Sequence, residues 1–143
     1  MFIVTGANGF IGSALVWELN QAGFKNIICV DSVTQTDRPL PLKKRAFTEF
    51  LLPDQLIDKL KEDKFAQNIQ CIFHLGACSD TTEMDVNFLR KNNTEYTNQL
   101  FSICANNKIP FIYASSGAIY GDGQHGFDDK TPSQQFYPLN PYG

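Results

Sequence analysis

The sequence predicts a doubly wound α/β domain built on a parallel sheet. Short unbroken apolar runs recur along it, longer segments with helical spacing separate them, and a glycine-spaced loop joins the first run to the first helix. Unbroken apolar runs are how strands read when both faces of the sheet are covered. Strand alternating with helix then requires right-handed crossovers.

The strands are expected at Phe2-Ile3-Val4, Ile27-Ile28-Cys29-Val30, Cys71-Ile72-Phe73 and Phe111-Ile112-Tyr113, with a weaker one from Ala46 to Phe50. Between them the apolar period lengthens. Ile11, Ala14, Leu15 and Leu19 share one helical face. Leu56, Ile57 and Leu60 do the same after Pro53-Asp54, a natural helix start. The longest stripe runs through Val86, Leu89, Asn93, Tyr96, Thr97, Leu100, Phe101 and Cys104. Beyond Tyr113, three glycines (Gly121, Gly123, Gly126) and three prolines (Pro132, Pro138, Pro141) predict loop.

Composition narrows the function. Twelve basic against fifteen acidic residues give a net charge of −3, and no basic stripe is present, so phosphate neutralisation on DNA or RNA is a poor fit. The apolar runs are far too short to span a bilayer, and the start Met1-Phe2-Ile3-Val4-Thr5-Gly6 has no secretory pattern. A cytoplasmic protein is expected. Cys29, Cys71, Cys78 and Cys104 form no C-x-x-C pair and read as small buried hydrophobes, so no metal site is expected.

Gly6-Ala7-Asn8-Gly9-Phe10-Ile11-Gly12 follows the first strand directly and opens the first helix. Glycines at this spacing let backbone approach a pyrophosphate closely, and the helix N-terminus offers free N–H groups and a positive dipole end. No G-K-[ST] follows, which excludes a nucleoside-triphosphate P-loop. The loop therefore predicts dinucleotide binding. Asp31 ends the second strand nineteen residues beyond Gly12, where a carboxylate can accept both adenosine ribose hydroxyls and favour NAD. Arg38 and the trio Lys43, Lys44 and Arg45 follow, and one of them could hold a 2′-phosphate instead. The trio itself reads as a solvated basic loop. NAD and NADP both stay open on these residues.

The strand ending at His74 runs into Leu75-Gly76-Ala77-Cys78-Ser79, whose small residues leave room for a ligand at the sheet edge. His74 reads as a hydrogen-bonded strand-end histidine, and Asp80, with Glu83 three residues later, reads as a helix cap. Ser115 and Ser116 stand at the next strand end, where a hydroxyl can bond a substrate hydroxyl or carbonyl. Tyr142 comes twenty-six residues past Ser116 and is a useful base only where its pKa is lowered by a nearby cation.

Taken together, the glycine loop, His74-x-Gly76-Ala77, Asn92, Ser115-Ser116-x-x-x-Tyr120-Gly121 and Tyr142-Gly143 resemble the extended short-chain dehydrogenase/reductase family across the whole chain. Gly76-Ala77-Cys78-Ser79-x-Thr81-Thr82-Glu83 is similar to the nucleotide-heptose 6-epimerases of lipopolysaccharide core synthesis within it. The resemblance implies a Rossmann-type dinucleotide-binding domain over residues 1–143, with further strands and a substrate domain outside this sequence. It implies that Gly6, Gly9, Phe10, Ile11 and Gly12 face the pyrophosphate, that Asp31, Ser32 and Arg38 surround the adenosine ribose, and that Leu75, Gly76, Ala77, Cys78, Ser79 and Asn92 line the cleft. It implies catalytic roles for Ser116 and Tyr142, NADP as cofactor with NAD possible, an ADP-heptose substrate and a homo-oligomer. The reaction implied is epimerisation by transient oxidation and re-reduction at the sugar side chain. Three departures stand out: Pro53 where a lysine is common, Glu49 for the usual aspartate, and the lysine expected four residues after Tyr142 lying beyond Gly143. Gly117-Ala118-Ile119 replaces the Asp-Glu pair of the related dehydratases, which disfavours that reaction. A 4-epimerase of another nucleotide sugar and a non-catalytic dinucleotide-binding module are the remaining alternatives.

Overall fold

A computed structural model of the chain describes residues 1–32 and 41–143. Five parallel strands form one sheet: β1 (Phe2–Thr5), β2 (Ile27–Val30), β3 (Glu49–Leu51), β4 (Cys71–His74) and β5 (Phe111–Tyr113). Their spatial order is β3-β2-β1-β4-β5. Every pairing is parallel, with Phe2 in register with both Ile27 and Cys71. The chain leaves β1 toward β2 on one side and returns to β4 on the other. The order reverses there, which makes the β1–β4 boundary the topological switch point where open α/β sheets bind ligands.

The helices cover both faces. On one side α1 (Phe10–Gln21) packs over Val4, Ile27 and Cys29 through Val16, with Leu42 sealing the cluster. On the other, α2 (Pro53–Leu60), α3 (Asp63–Ala66) and α5 (Tyr96–Asn107) enclose Ile3, Ile28, Val30 and Ile72 with Leu56, Leu60, Leu100 and Cys104. Alternate residues of one strand thus feed opposite cores, as a period of two requires. This is the doubly wound architecture expected from the apolar runs.

Several local expectations need correction. The weak strand is Glu49–Leu51 rather than Ala46–Phe50, because Ala46 is tied to α1, donating to Asn20 Oδ1 at 2.7 Å and accepting from Asn20 Nδ2 at 2.9 Å. The inward face of α1 is Gly12, Ser13 and Val16, with Leu15 and Leu19 half-buried, whereas Ile11 and Ala14 are exposed. The helix is turned so that its glycine, and not its isoleucine, meets the first strand's loop.

Asp80 does not cap a helix. Its carboxylate closes a turn on the Thr82 N–H at 2.8 Å, and the cap is Asp85, which accepts from Asn87 N–H and Phe88 N–H at 3.0 Å each. α4 (Val86–Leu89) follows and runs through a π-turn over Arg90–Glu95 into α5. Leu89, Leu100 and Cys104 of the predicted stripe are buried, whereas Val86 is 58% exposed and Phe101 stands 56% exposed against the edge of Phe111. The segment beyond β5 is loop as expected, apart from single 3₁₀ turns at Gly117–Tyr120 and Ser133–Gln135. Phe136 is buried there against Tyr120.

The basic loop is also only partly solvated. Lys43 and Lys44 are exposed, but Arg45 is half-buried and donates from Nε to the Ser13 carbonyl at 3.2 Å. Cys29, Cys71 and Cys104 are buried free thiols, as expected, whereas Cys78 is only half-buried, and burial pushes Cys29 up to about 12 and Cys104 to about 11. Among the described residues, no group of His, Cys, Asp and Glu could hold a metal ion, and no helix is long and apolar enough to cross a membrane.

Candidate functional site

Four segments singled out from the sequence meet at the carboxyl edge of the sheet. Gly6 follows β1, Asp31 follows β2, Leu75 to Ser79 follow β4, and Ser115-Ser116 follow β5. Glycines bring the two loop backbones together at the switch point between β1 and β4, with the Thr5 hydroxyl between them. Gly6 sits at φ +64°, a left-handed conformation that favours glycine. A Cβ added to it would lie 2.7 Å from the Gly76 nitrogen, across the gap between the two strands. A Cβ on Gly12 would overlap the Gly6 carbonyl and fall 2.9 Å from the Ala7 Cα. Gly9 is different: a Cβ there would meet only the Gly6 oxygen, at 3.1 Å. Gly6, Gly12 and Gly76 are therefore needed for packing, and Gly9 keeps the outer surface of the loop low.

α1 begins at Phe10 with Gly9 at its N-cap and no side chain capping it. The N–H groups of its first turn have no acceptor within the helix, and the first turn carries no acidic residue. Phe10 and Ile11 are 92% and 66% exposed beside them. Backbone donors, a positive helix end and exposed apolar side chains fit a pyrophosphate with its flanking rings. Asp31 is drawn into the same corner by the Asn8 N–H, which donates to its Oδ2 at 3.0 Å. Ser32 is exposed next to it, and Arg38 lies outside the described residues.

The β4 loop is clamped twice. Thr5 Oγ1 accepts from Leu75 N–H at 3.2 Å and Gly76 N–H at 3.0 Å. Asn93 grips Cys78 with both ends of its amide, accepting from the Cys78 N–H at 2.8 Å and donating to the Cys78 carbonyl at 2.9 Å. Ala77 and Ser79 are exposed on the cleft loop, whereas Leu75, Gly76 and Cys78 are half-buried. Asn92, the asparagine expected to line the cleft, is exposed and donates to the Phe88 carbonyl of its own helix at 2.8 Å. The link to the loop falls to its neighbour. The signal for Asn93 was present in the sequence as the single amide on the long helical stripe.

His74 is 4% exposed and hydrogen-bonded at both ring nitrogens, to Thr5 and to Thr97. Burial lowers its pKa to about 4, so the ring is neutral near neutrality. The reading of His74 as a satisfied strand-end residue stands. Thr5 and Thr97 were missed: neither lies in a recognisable motif, and their role depends on β1, β4 and α5 coming together.

The remaining two candidates line separate clefts. Ser116 accepts from the Ala118 N–H at 3.1 Å and borders a hollow of about 270 Å³ with Ser115, Ile119, Tyr120 and Asp129. Tyr120 donates to Asp129 across this hollow. Tyr142 borders a second hollow of about 200 Å³ with Leu89, Arg90, Asn93 and Thr94. The chain around Tyr142 nonetheless returns to the serine turn, since a Cβ on Gly143 would lie 2.7 Å from the Ala118 oxygen. Pro53 opens α2, and its carbonyl accepts from the Tyr96 hydroxyl at 3.3 Å. Glu49 is paired with Lys59 Nζ at 2.6 Å.

Comparison with known proteins gives the geometry a context. The model of the NAD dependent epimerase/dehydratase family matches residues 2–143. The ADP-L-glycero-D-manno-heptose-6-epimerase of Fusobacterium nucleatum is 46% identical over 146 residues, covering 100% of this chain and 44% of that protein. MoeE5, solved in complex with UDP-glucose and NAD, is 31% identical with a TM-score of 0.70, covering 99% of this chain and 44% of that one. The Helicobacter pylori ADP-L-glycero-D-manno-heptose-6-epimerase superposes with a TM-score of 0.75 at 23% identity, covering 99% of this chain and 46% of that one, a likeness of fold. The chain thus spans just under half the length of the relatives it matches.

Proposed function

Because this chain belongs to the NAD dependent epimerase/dehydratase family, we propose that it is the dinucleotide-binding part of an ADP-glycero-manno-heptose 6-epimerase that uses NADP. The observation that carries this is the close backbone approach at the switch point, where Gly6, Gly12 and Gly76 leave no room for a Cβ, joined to 46% identity with an enzyme of that name. A bound nicotinamide dinucleotide supplies a hydride acceptor and donor.

The chain's own residues have distinct parts in this reading. The first turn of α1 holds the pyrophosphate against Gly9, Phe10 and Ile11. Asp31 and Ser32 hold the adenosine ribose, and Arg38 holds its 2′-phosphate. Leu75, Gly76, Ala77, Cys78 and Ser79 form the cleft wall, and Asn93, in place of Asn92, holds it. Ser116 keeps a hydroxyl proton free to donate while its oxygen accepts from Ala118, so it can orient a sugar hydroxyl. Tyr142 takes and returns that hydroxyl's proton. A cytoplasmic setting, a role in lipopolysaccharide synthesis and assembly with further copies belong to the same proposal.

The test is calorimetric titration of the chain with NADP and NAD. Tighter binding of NADP supports the reading, and equal or tighter binding of NAD moves the cofactor to the one named with MoeE5. Absence of binding by the folded chain overturns it. In a protein that continues past Gly143, ADP-heptose converted at its side-chain carbon supports the substrate assignment. Turnover of a UDP-hexose in its place supports a 4-epimerase.

A further inference from the structure

One hydroxyl joins the ends of β1 and β4. Thr5 is 2% exposed, and its Oγ1 lies 2.6 Å from His74 Nδ1. The same oxygen accepts from Leu75 N–H at 3.2 Å and Gly76 N–H at 3.0 Å. A threonine hydroxyl has one proton and two acceptor sites. Both backbone groups are obligate donors, Gly76 N–H to this oxygen and Leu75 N–H shared between it and the Thr5 carbonyl at 3.3 Å, and with both of them on the hydroxyl oxygen its proton points at Nδ1. Nδ1 is therefore the bare nitrogen of the ring. The neutral imidazole keeps its hydrogen on Nε2, which donates to Thr97 Oγ1 at 2.8 Å.

This arrangement gives each bond of the relay one direction, from Gly76 through Thr5 and His74 to α5. We infer that Thr5 and His74, with Thr97 as far anchor, form a single-tautomer relay that sets the position of the Leu75–Gly76 backbone in the cleft, making His74 a positioning residue. The tolerance at this point is small. The clearance between Gly6 and Gly76 has no room for one methyl group, so a shift of a few tenths of an ångström in the loop changes the cleft wall. The groups packed on the ring are Tyr96 at 5.7 Å and Phe111 at 5.8 Å between centroids, with Thr5 and Thr97 at its nitrogens. None of these four carries a charge that would recruit a second proton.

The inference about function rests on the dinucleotide reading; the bond directions do not. Two measurements on the 143-residue chain separate them. Long-range ¹H–¹⁵N spectra of the histidine rings should place the His74 proton on Nε2, and a proton on Nδ1 overturns the relay whatever the chain binds. Calorimetry with NADP should show about tenfold weaker binding for Thr5→Val and recovery to within about twofold for Thr5→Ser, which restores the hydroxyl. Unchanged affinity of a folded Thr5→Val variant overturns the positioning role. Where Thr5→Val fails to fold, Thr97→Val provides the affinity test from the other end, with a loss of about threefold expected and no loss overturning the role. A wild-type chain that binds neither dinucleotide while showing the Nε2 proton refutes the dinucleotide reading, and the positioning role with it, but leaves the relay standing.

Discussion

Where β1 and β4 end, side-chain hydrogen bonds join residues far apart in the chain; where β5 ends, they join near neighbours. Thr5 meets His74 and Gly76 across 69 and 71 positions, Asn8 meets Asp31 across 23, and Asn93 meets Cys78 across 15. Ser116 bonds the N–H two residues on, and Asn140 bonds those of Tyr142 and Gly143. Burial follows the same division. Thr5 and His74 are nearly inaccessible, whereas Ile112 and Tyr113 of β5 are 55% and 57% exposed. The cofactor corner is therefore held by tertiary structure, and the serine–tyrosine end by local turn chemistry. A perturbation at the first should be felt throughout the domain, and one at the second should stay local.

The largest expected effect is at Gly12. Gly12→Ala forces its Cβ into the Gly6 carbonyl, a backbone contact that cannot rotate away. Overpacking of this kind should cost about 2–3 kcal/mol in urea denaturation and remove dinucleotide binding with it. A variant of native stability would break the contrast between the two ends.

Acid should act next. Burial lowers His74 from 6.5 to about 4. Between those values the unfolded chain binds a proton that the folded chain does not, so the His74 contribution falls as pH drops through that window. The loss should reach about 3 kcal/mol at most near pH 4. Denaturation curves at pH 7 and pH 4.5 should separate for wild type and converge for His74→Phe once the overall loss of stability is subtracted. An identical pH slope in both would remove His74 as the cause.

Gly9 sharpens the comparison, because it lies in the same loop without the same crowding. Gly9→Val should leave thermal stability within about 1 kcal/mol yet weaken NADP binding by about tenfold or more, since its side chain grows into the pyrophosphate position. Unchanged calorimetric affinity would count against that position. Ser116→Ala should have the smallest structural effect, about 0.5–1 kcal/mol for the lost turn cap. Amide exchange should quicken around residues 117–120 only, and quickening in β1 would contradict the local character of this end.

These differences also explain what could be read from the residues alone. The inner strands were legible because burial on both faces leaves unbroken apolar runs, and the Ile27–Val30 boundaries coincide with such a run. The glycine loop was legible because its spacing carries a backbone requirement that only glycine meets at Gly6. Thr5, Thr97 and the grip of Asn93 were not, because each depends on a partner brought in by the fold. The displaced helix cap at Asp85 has a similar cause: two aspartates five residues apart both suit a cap, and the start of the buried face at Leu89 selects between them.

The central claim is that a dinucleotide lies across the carboxyl ends of β1, β2 and β4. Amide ¹H–¹⁵N spectra of the chain recorded during titration with NADP test it most directly. The account predicts shifts concentrated at residues 6–12, at Asp31 and Ser32, and at residues 75–79, with α2 and α3 unmoved. Saturable shifts confined to other segments, with those residues still, would contradict it.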